Sequence, residues 1–304
     1  MRGFFRPLAC ALLLASAWPA AAAADALSDY VAARDQAIAA ALAAAKAHKS
    51  GDDAIIKREA AAMKDLSKRL TAVLGPMTFK ALGSPTYTLN MLTYDEITPT
   101  RQLDGISFAN ADYTTRLVVT PEPVFNAWLA ARAKDDDAPP ALGAGPKAAM
   151  ATNAFYNDAL VFDGGYFQPY LELPITTTPG EKAYAVLGLQ IDEAPGNALP
   201  DDIAILRIAN GKAMVGLTSA NLDIKPIAAC NALWKPHEDK AAALTKVVEK
   251  DNKPEDPRWN DIQKILDEGS TAFRTCFAKE APSQPFYAAA VGRAEAFLKA
   301  ISGN

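Results

Sequence analysis

The chain has 304 residues, of which 50% are hydrophobic and 22% are charged, and its formal net charge is −4 at pH 7. This length and composition are typical of a globular protein with one large or two small domains. The mild acidity argues against nucleic acid as a partner, because binding to phosphates needs a basic face. It also argues against electrostatic attachment to anionic lipids.

Residues 1–24 have the order of a secretory signal peptide. Arg2 and Arg6 give a basic start, an apolar run follows, and alanines fill 20–24 before Asp25. The apolar run is shorter than the roughly 20 residues that span a bilayer. We therefore expect an exported mature chain, periplasmic or secreted, with 29 basic and 35 acidic residues once Arg2 and Arg6 are removed. We expect no stable membrane insertion after signal removal.

The mature chain begins with two helical patterns, at residues 27–48 and 53–74. In each pattern, apolar residues recur at three- and four-residue steps, which indicates one apolar face on each helix. The link between them is short, so we expect a helical hairpin over 27–74. Gly75 and Pro76 then provide a helix stop.

Strand patterns dominate the middle of the chain. The candidate strands are 86–92, 116–120, 160–162, 166–173, 183–191, 203–208 and 213–217. Asn210 and Gly211 lie between the last two, and Asn-Gly favours the tight turn of a two-residue hairpin. Consecutive strands joined by tight turns predict an antiparallel sheet. Residues 134–146 are acidic and rich in proline and glycine, which predicts an exposed loop and a possible internal boundary.

Helical patterns return from residue 225. One helix is expected to begin at Asp256 and Pro257, and another at Ser283. Runs of strands flanked by runs of helices indicate the α+β class. We predict a single α+β domain over 25–304, with an antiparallel sheet of about five or six strands flanked by the N-terminal hairpin and the C-terminal helices.

Two cysteines remain after the signal is removed, because Cys10 leaves with it. Cys230 and Cys276 each lie on the apolar face of a predicted helix. An even pair in an oxidising compartment predicts one disulfide. The bridge would close a loop of 46 residues, worth about 4 kcal/mol in the chain-entropy model. The alternative is two buried free thiols.

A cluster of aromatic residues is the strongest candidate for a binding site. Six rings fall between residues 155 and 170, with Asp163 and two glycines in the middle. We predict that Asp163, Tyr166 and Tyr170 bind a small ligand or a peptide by stacking and hydroxyl donation. If Phe167 faces the core, strand alternation places both tyrosines on the outer face. The alternative is that the rings divide between core and solvated surface.

Catalytic patterns are sparse. Residues 105–109 resemble a nucleophile elbow around Ser107, with His237 as base and Asp163 or Asp201 as its partner. That chemistry needs a serine on a sharp turn from a strand to a helix, whereas the residues after 109 form helices poorly. No pattern in the sequence indicates a cofactor or a metal site.

The sequence therefore favours an exported, non-enzymatic protein that binds a small ligand or a protein partner in the periplasm. Two alternatives stay open. One is a secreted hydrolase that uses Ser107 or a pair of carboxylates in a cleft. The other is a scaffold protein that assembles through the hairpin 27–74, which an exposed apolar stripe on that hairpin would support.

Overall fold

A computed structural model describes residues 17–47, 53–79, 82–83, 86–88, 102–136, 138–160, 167–191, 198–251 and 256–302. The chain divides into two compact units, Met1–Thr78 with Thr86–Ile106, and Phe79–Pro85 with Ser107–Asn304. The acidic stretch 134–146 lies within the second unit. Part of it is ordered as a short 3₁₀ helix, Pro140–Ala144, in which Leu142 is buried.

The elements of the described residues confirm the α+β class. The α-helices are α1 Ala17–Lys46, α2 Asp53–Leu74, α3 Glu122–Arg132, α4 Pro146–Ala149, α5 Asn153–Leu160, α6 Ala228–Asp251, α7 Arg258–Glu280 and α8 Pro285–Ser302. The strands are β1 Thr86–Thr88, β2 Gly105–Ala109, β3 Thr115–Pro121, β4 Phe167–Leu173, β5 Lys182–Ile191, β6 Ala198–Ala209 and β7 Lys212–Ser219. The strand predicted at 160–162 is wrong at Leu160, which ends helix α5.

The first unit is built around the predicted helical hairpin. Helices α1 and α2 pack against each other, and the stripe of α2 is buried at Leu66 and Leu70. Tyr30 of α1 is fully buried, and its hydroxyl donates a hydrogen bond to the carboxylate of Asp104. Gly75 ends α2 in a left-handed conformation, with φ +72°, as the Gly-Pro pair predicted.

The second unit contains an antiparallel sheet in the order β2-β3-β7-β6-β5-β4. The predicted hairpin of β6 and β7 is present, and both Asn210 and Gly211 have positive φ, at 52° and 70°. Among the described strands, β4 ends this order, so it is an edge strand of that set.

One face of the sheet is covered by helix α8. Leu117, Gly216, Ile205 and Ala185 are partners across four neighbouring strands, so their side chains share this face. The ring of Phe297 in α8 fills the space over Gly216, where a Cβ atom would lie 2.7 Å from the ring. The missing side chain therefore lets the helix approach the sheet.

The opposite face is covered by helix α5. Gly188 is three residues from Ala185 in the same strand, so it faces the other way. The ring of Phe167 fills the space over Gly188, where a Cβ atom would lie 2.1 Å from it. Phe167 packs in turn on Tyr156 of α5, with 4.4 Å between the ring centroids. The sheet is thus buried on both faces.

Helices α6 and α7 form a closely packed pair. The predicted disulfide is confirmed, since Cys230 of α6 and Cys276 of α7 are bonded with 5.4 Å between their Cα atoms. Further along, Gly269 of α7 faces Trp234 and His237 of α6. Two contacts, one covalent and one steric, therefore fix the spacing of these helices.

Candidate functional site

Tyr170 lies in strand β4 at a break in the regular pairing. The register between β4 and β5 shifts between Pro169 and Leu171, which leaves Tyr170 in a β-bulge. Phe167 is in the core, as the alternation argument assumed, yet Tyr170 is only 6% exposed. The prediction that Tyr170 faces outward is wrong, because the bulge turns its ring toward helix α7.

Helix α7 surrounds Tyr170 with two aromatic rings and one guanidinium group. Phe273 and Phe277 meet the tyrosine ring edge-on, at centroid distances of 5.7 and 6.0 Å. The Cζ atom of Arg274 lies 5.3 Å from the ring centroid of Tyr170. The Nη2 atom of Arg274 also donates a hydrogen bond of 2.9 Å to the carbonyl of Pro169. These contacts hold the tyrosine ring in one orientation.

The hydroxyl of Tyr170 is buried and has no hydrogen-bond partner among the described residues. Burial raises the pKa of Tyr170 to about 12, and the charge of Arg274 opposes that rise only in part. The group is therefore a neutral O–H donor at physiological pH. Buried hydroxyls are nearly always paired in folded proteins, so this one is an exception.

A pocket lies beside Tyr170, with a cavity volume of about 110 Å³. It is lined by residues of α4, β4 and β5 and of the turn after α4: Lys147, Met150, Ala151, Pro169, Tyr170, Leu171, Glu172, Tyr184 and Val186. Pockets for drug-sized ligands typically measure 300–1,000 Å³. This pocket therefore fits a small molecule or a single side chain of a protein partner.

Two opposite charges lie at this pocket. The Nζ atom of Lys147 is 2.7 Å from a carboxylate oxygen of Glu172, and both side chains are more than half exposed. The hydrogen bond to Glu172 raises the pKa of Lys147, so the lysine is a cation at neutral pH. The pair carries no net charge, and its exposure keeps it weak and open to competition from a ligand.

A second cavity, of about 230 Å³, lies between α8 and the ends of β3 and β7. It is lined by Phe79, Leu82, Thr115, Thr218, Ser219, Arg293, Ala296, Phe297, Ala300 and Ile301. Its hydroxyls already have partners. Thr115 and Thr218 hydrogen-bond each other at 2.8 Å, and Ser219 donates to Asp202 at 2.9 Å. The hydroxyls at the larger cavity therefore differ from that of Tyr170, which has no partner among the described residues.

Asp163 and Tyr166, the other two predicted binding residues, lie outside the described residues. That they act together with Tyr170 stays a prediction. Arg274 was not among the predicted site residues, although it lies between Phe273 and Phe277 of one helix. A cation between two aromatic residues four positions apart was the available signal.

Ser107 does not lie on a turn from a strand to a helix. It is the middle residue of β2, and the chain continues through a turn at 110–114 into β3. The geometry of a nucleophile elbow is therefore absent. His237 lies in α6, where its Cβ atom packs beside Gly269.

Two neighbouring carboxylates, Asp201 and Asp202 of β6, are buried. Adjacent residues of a strand point to opposite faces, so these two do not flank one cleft. Burial raises the pKa of Asp201, although its carboxylate accepts hydrogen bonds of 3.0 and 2.8 Å from the backbone N–H of Leu222. These hydrogen bonds connect Asp201 to the loop after β7, so the role of Asp201 is structural.

The helical hairpin shows no exposed apolar stripe in its described part. The large hydrophobic side chains that are exposed among the described residues are Tyr113, Leu233, Val247 and Trp259, and none of them lies on α1 or α2. The stripe of α2 is instead buried within the first unit. The hairpin therefore gives no support for assembly through this surface.

Comparisons with protein-family models, with curated proteins and with solved structures give no match to this chain. Among the described residues, no helix has both the length and the apolar character needed to cross a bilayer.

Proposed function

We propose that this protein is a non-enzymatic binding protein of the periplasm or the extracellular space, and that its ligand occupies the pocket beside Tyr170. The ligand is a small molecule or a side chain of a protein partner. One observation carries the proposal: a pocket-lining tyrosine is 94% buried, and its hydroxyl has no partner among the described residues.

An unpaired buried hydroxyl is unfavourable in the free protein. Leaving such a group without a partner costs about 1–3 kcal/mol. The hydroxyl has almost no accessible surface, so a ligand in the pocket recovers this energy only where the surrounding side chains shift and open the hydroxyl to it. The same pocket offers Met150, Leu171 and Val186 to the apolar part of a ligand. Hydrogen bonding and apolar contact together therefore favour a ligand that has both a hydrogen-bond acceptor and an apolar part.

Export is supported by the signal-like residues 1–24 and by the disulfide between Cys230 and Cys276. Disulfides persist in oxidising compartments and are rare in the cytosol. Expression of the full chain in a bacterium, followed by fractionation and N-terminal sequencing, tests this part. We expect a periplasmic product that begins near Asp25. A cytosolic product that keeps Met1 contradicts it.

Binding is tested with three forms of the mature chain: wild type, Tyr170→Phe and Tyr113→Phe. The first variant removes the pocket hydroxyl, and the second removes a hydroxyl from an exposed turn. Ligand-detected NMR against a library of small polar compounds identifies binders. We expect at least one compound to bind the wild type and Tyr113→Phe equally and Tyr170→Phe at least tenfold more weakly. Equal binding to all three proteins contradicts the proposal.

A further inference from the structure

We infer that the larger cavity, beside helix α8, is a second binding site, and that its ligand is an unbranched aliphatic monocarboxylate. Arg293 holds the carboxylate, and the apolar residues of the cavity hold the chain. The inference is independent of the Tyr170 pocket, because the two cavities share no lining residue. It depends on where the charge and the apolar residues lie along the cavity.

The cavity has a charged end and an apolar end. Burial raises the pKa of Asp201 in β6, and the charge of Arg293 opposes this rise, so the guanidinium lies near that strand. Phe79, at the other end, packs edge-on against Phe108 of β2, with 4.9 Å between the ring centroids. Because β7 and β3 separate β6 from β2, these two strands lie about 14 Å apart. The lining is therefore elongated, with the cation at one end.

The guanidinium of Arg293 is open to a ligand. The residue lines the cavity and is exposed, and it has no ion pair or hydrogen bond in the described part of the chain. Asp201 is the acidic group that faces it, but this carboxylate is buried and accepts from the backbone N–H of Leu222. The planar guanidinium can therefore donate two N–H groups to the carboxylate of a ligand.

A second donor lies on the floor of the cavity. Thr115 and Thr218 are half-buried lining residues whose hydroxyls share one hydrogen bond of 2.8 Å. Only one of two paired hydroxyls donates to the other, so the second keeps an O–H for a further acceptor. This hydroxyl and the guanidinium both favour an anionic head group that accepts hydrogen bonds.

The rest of the lining is mostly apolar and suits an aliphatic chain. Its apolar residues are Phe79, Leu82, Ala296, Phe297, Ala300 and Ile301. The cavity of about 230 Å³ corresponds to roughly eight water molecules at the liquid volume of about 30 Å³ each, which matches the heavy-atom count of hexanoate. A dicarboxylate would place its second charge against apolar side chains, at a large cost in desolvation. One carboxylate with one unbranched chain therefore fits the two ends.

The test compares hexanoate with hexanamide, which has nearly the same shape and carries no charge, and with the shorter butyrate. Dissociation constants are measured by NMR titration of the mature chain at pH 7. We expect hexanoate to bind at least fivefold more tightly than hexanamide, because hydrogen bonds between charged groups are the stronger ones. Butyrate should bind roughly tenfold more weakly than hexanoate, since it buries two fewer methylene groups.

Three variants locate the site. Arg293→Gln should remove the preference for hexanoate over hexanamide. The matched control is Lys299→Gln, which removes an exposed cation of the same helix that does not line the cavity, and which should keep the preference. Ala300→Phe places a ring in the apolar part of the cavity and should weaken hexanoate and hexanamide alike, at least tenfold. Circular dichroism checks that each variant is folded.

Equal binding of hexanoate and hexanamide to the wild type overturns the inference, and so does the absence of binding by any probe. Hexanoate binding that Ala300→Phe leaves unchanged, or that Lys299→Gln weakens as much as Arg293→Gln does, also overturns it. Tyr170→Phe should bind hexanoate as the wild type does. A loss of hexanoate binding in Tyr170→Phe alone would overturn the second site and support the proposed function instead.

Discussion

At Gly269, helix α7 packs directly against helix α6. A Cβ atom at this position would lie 2.7 Å from the Cβ of His237 and 2.8 Å from the ring of Trp234. Glycine in a helix is normally less favourable than alanine by about 1 kcal/mol. Here the steric contact outweighs that preference, because a Cβ atom attached to the backbone of α6 cannot move aside without moving the helix.

We expect Gly269→Ala to lower the free energy of unfolding by about 1–3 kcal/mol through overpacking. The matched control is Gly292→Ala in α8, where nothing lies within 4 Å of the new methyl group. This control should raise the stability by about 0.5–1 kcal/mol through helix propensity. Urea denaturation of both variants checks the pair. A stabilised Gly269→Ala would show that the two helices separate at little cost.

The sheet contains a buried ion pair that joins the start of β5 to β6. Arg207 donates to the carboxylate of Glu181, and both side chains are less than 10% exposed. Thr178 also donates to Glu181, at 2.6 Å. Burial alone would raise the pKa of Glu181, but the hydrogen bonds from Thr178 and Arg207 outweigh it and lower the pKa.

Because the pKa of Glu181 is lower in the folded chain, its ionisation stabilises the fold above the unfolded value of about 4.3. This contribution is lost as the pH falls below that value toward the folded pKa. We expect Glu181→Gln to cost about 3 kcal/mol or more at pH 7, since it leaves Arg207 buried without its anion. The difference from wild type should shrink in urea titrations carried out below pH 4.

The control for this pair is Lys235→Gln, which breaks an exposed pair with Glu238 and Asp239 on α6. Exposed pairs are screened by solvent, so its unfolding midpoint should match that of the wild type. A loss of stability in Lys235→Gln equal to that in Glu181→Gln would mean that burial does not set the strength of the Glu181 pair.

Elements with strong local signals could be predicted from the sequence. Asn210 and Gly211 fixed the hairpin of β6 and β7, because only a few residue types adopt two consecutive positive φ angles easily. Strand β2 was not predicted. Its residues Gly105–Ala109 match both the nucleophile-elbow motif and the alternation of a strand. The structure decides between the two: Ile106 and Phe108 are buried, and Ser107 between them is half-buried.

The site could be predicted only where the signal was local. Tyr170 was predicted from an aromatic cluster in one stretch of sequence. The orientation of its side chain depended on a β-bulge, which strand alternation does not reveal. Arg274 could not be placed, because its partner Pro169 is 105 residues away in the chain. Contacts between a helix and a distant edge strand are determined by packing of the whole unit, which periodicity does not encode.

The chain combines a large buried sheet with a disulfide between two helices. The bridge between Cys230 and Cys276 links two helices of the second unit and closes a loop of 46 residues. A domain of this size has enough core to fold without a bridge. The bridge therefore adds stability to a fold that the core already specifies.

We expect the double variant Cys230→Ala with Cys276→Ala to fold, and to lose about 4 kcal/mol of unfolding free energy relative to the oxidised wild type. The reason is that the bridge restricts the unfolded chain, and its removal restores that freedom. Urea denaturation with and without a thiol reductant measures the effect. The reductant should lower the midpoint of the wild type toward that of the double variant and should leave the double variant unchanged. If the wild type is equally stable with and without the reductant, the bridge contributes nothing to the stability of the fold.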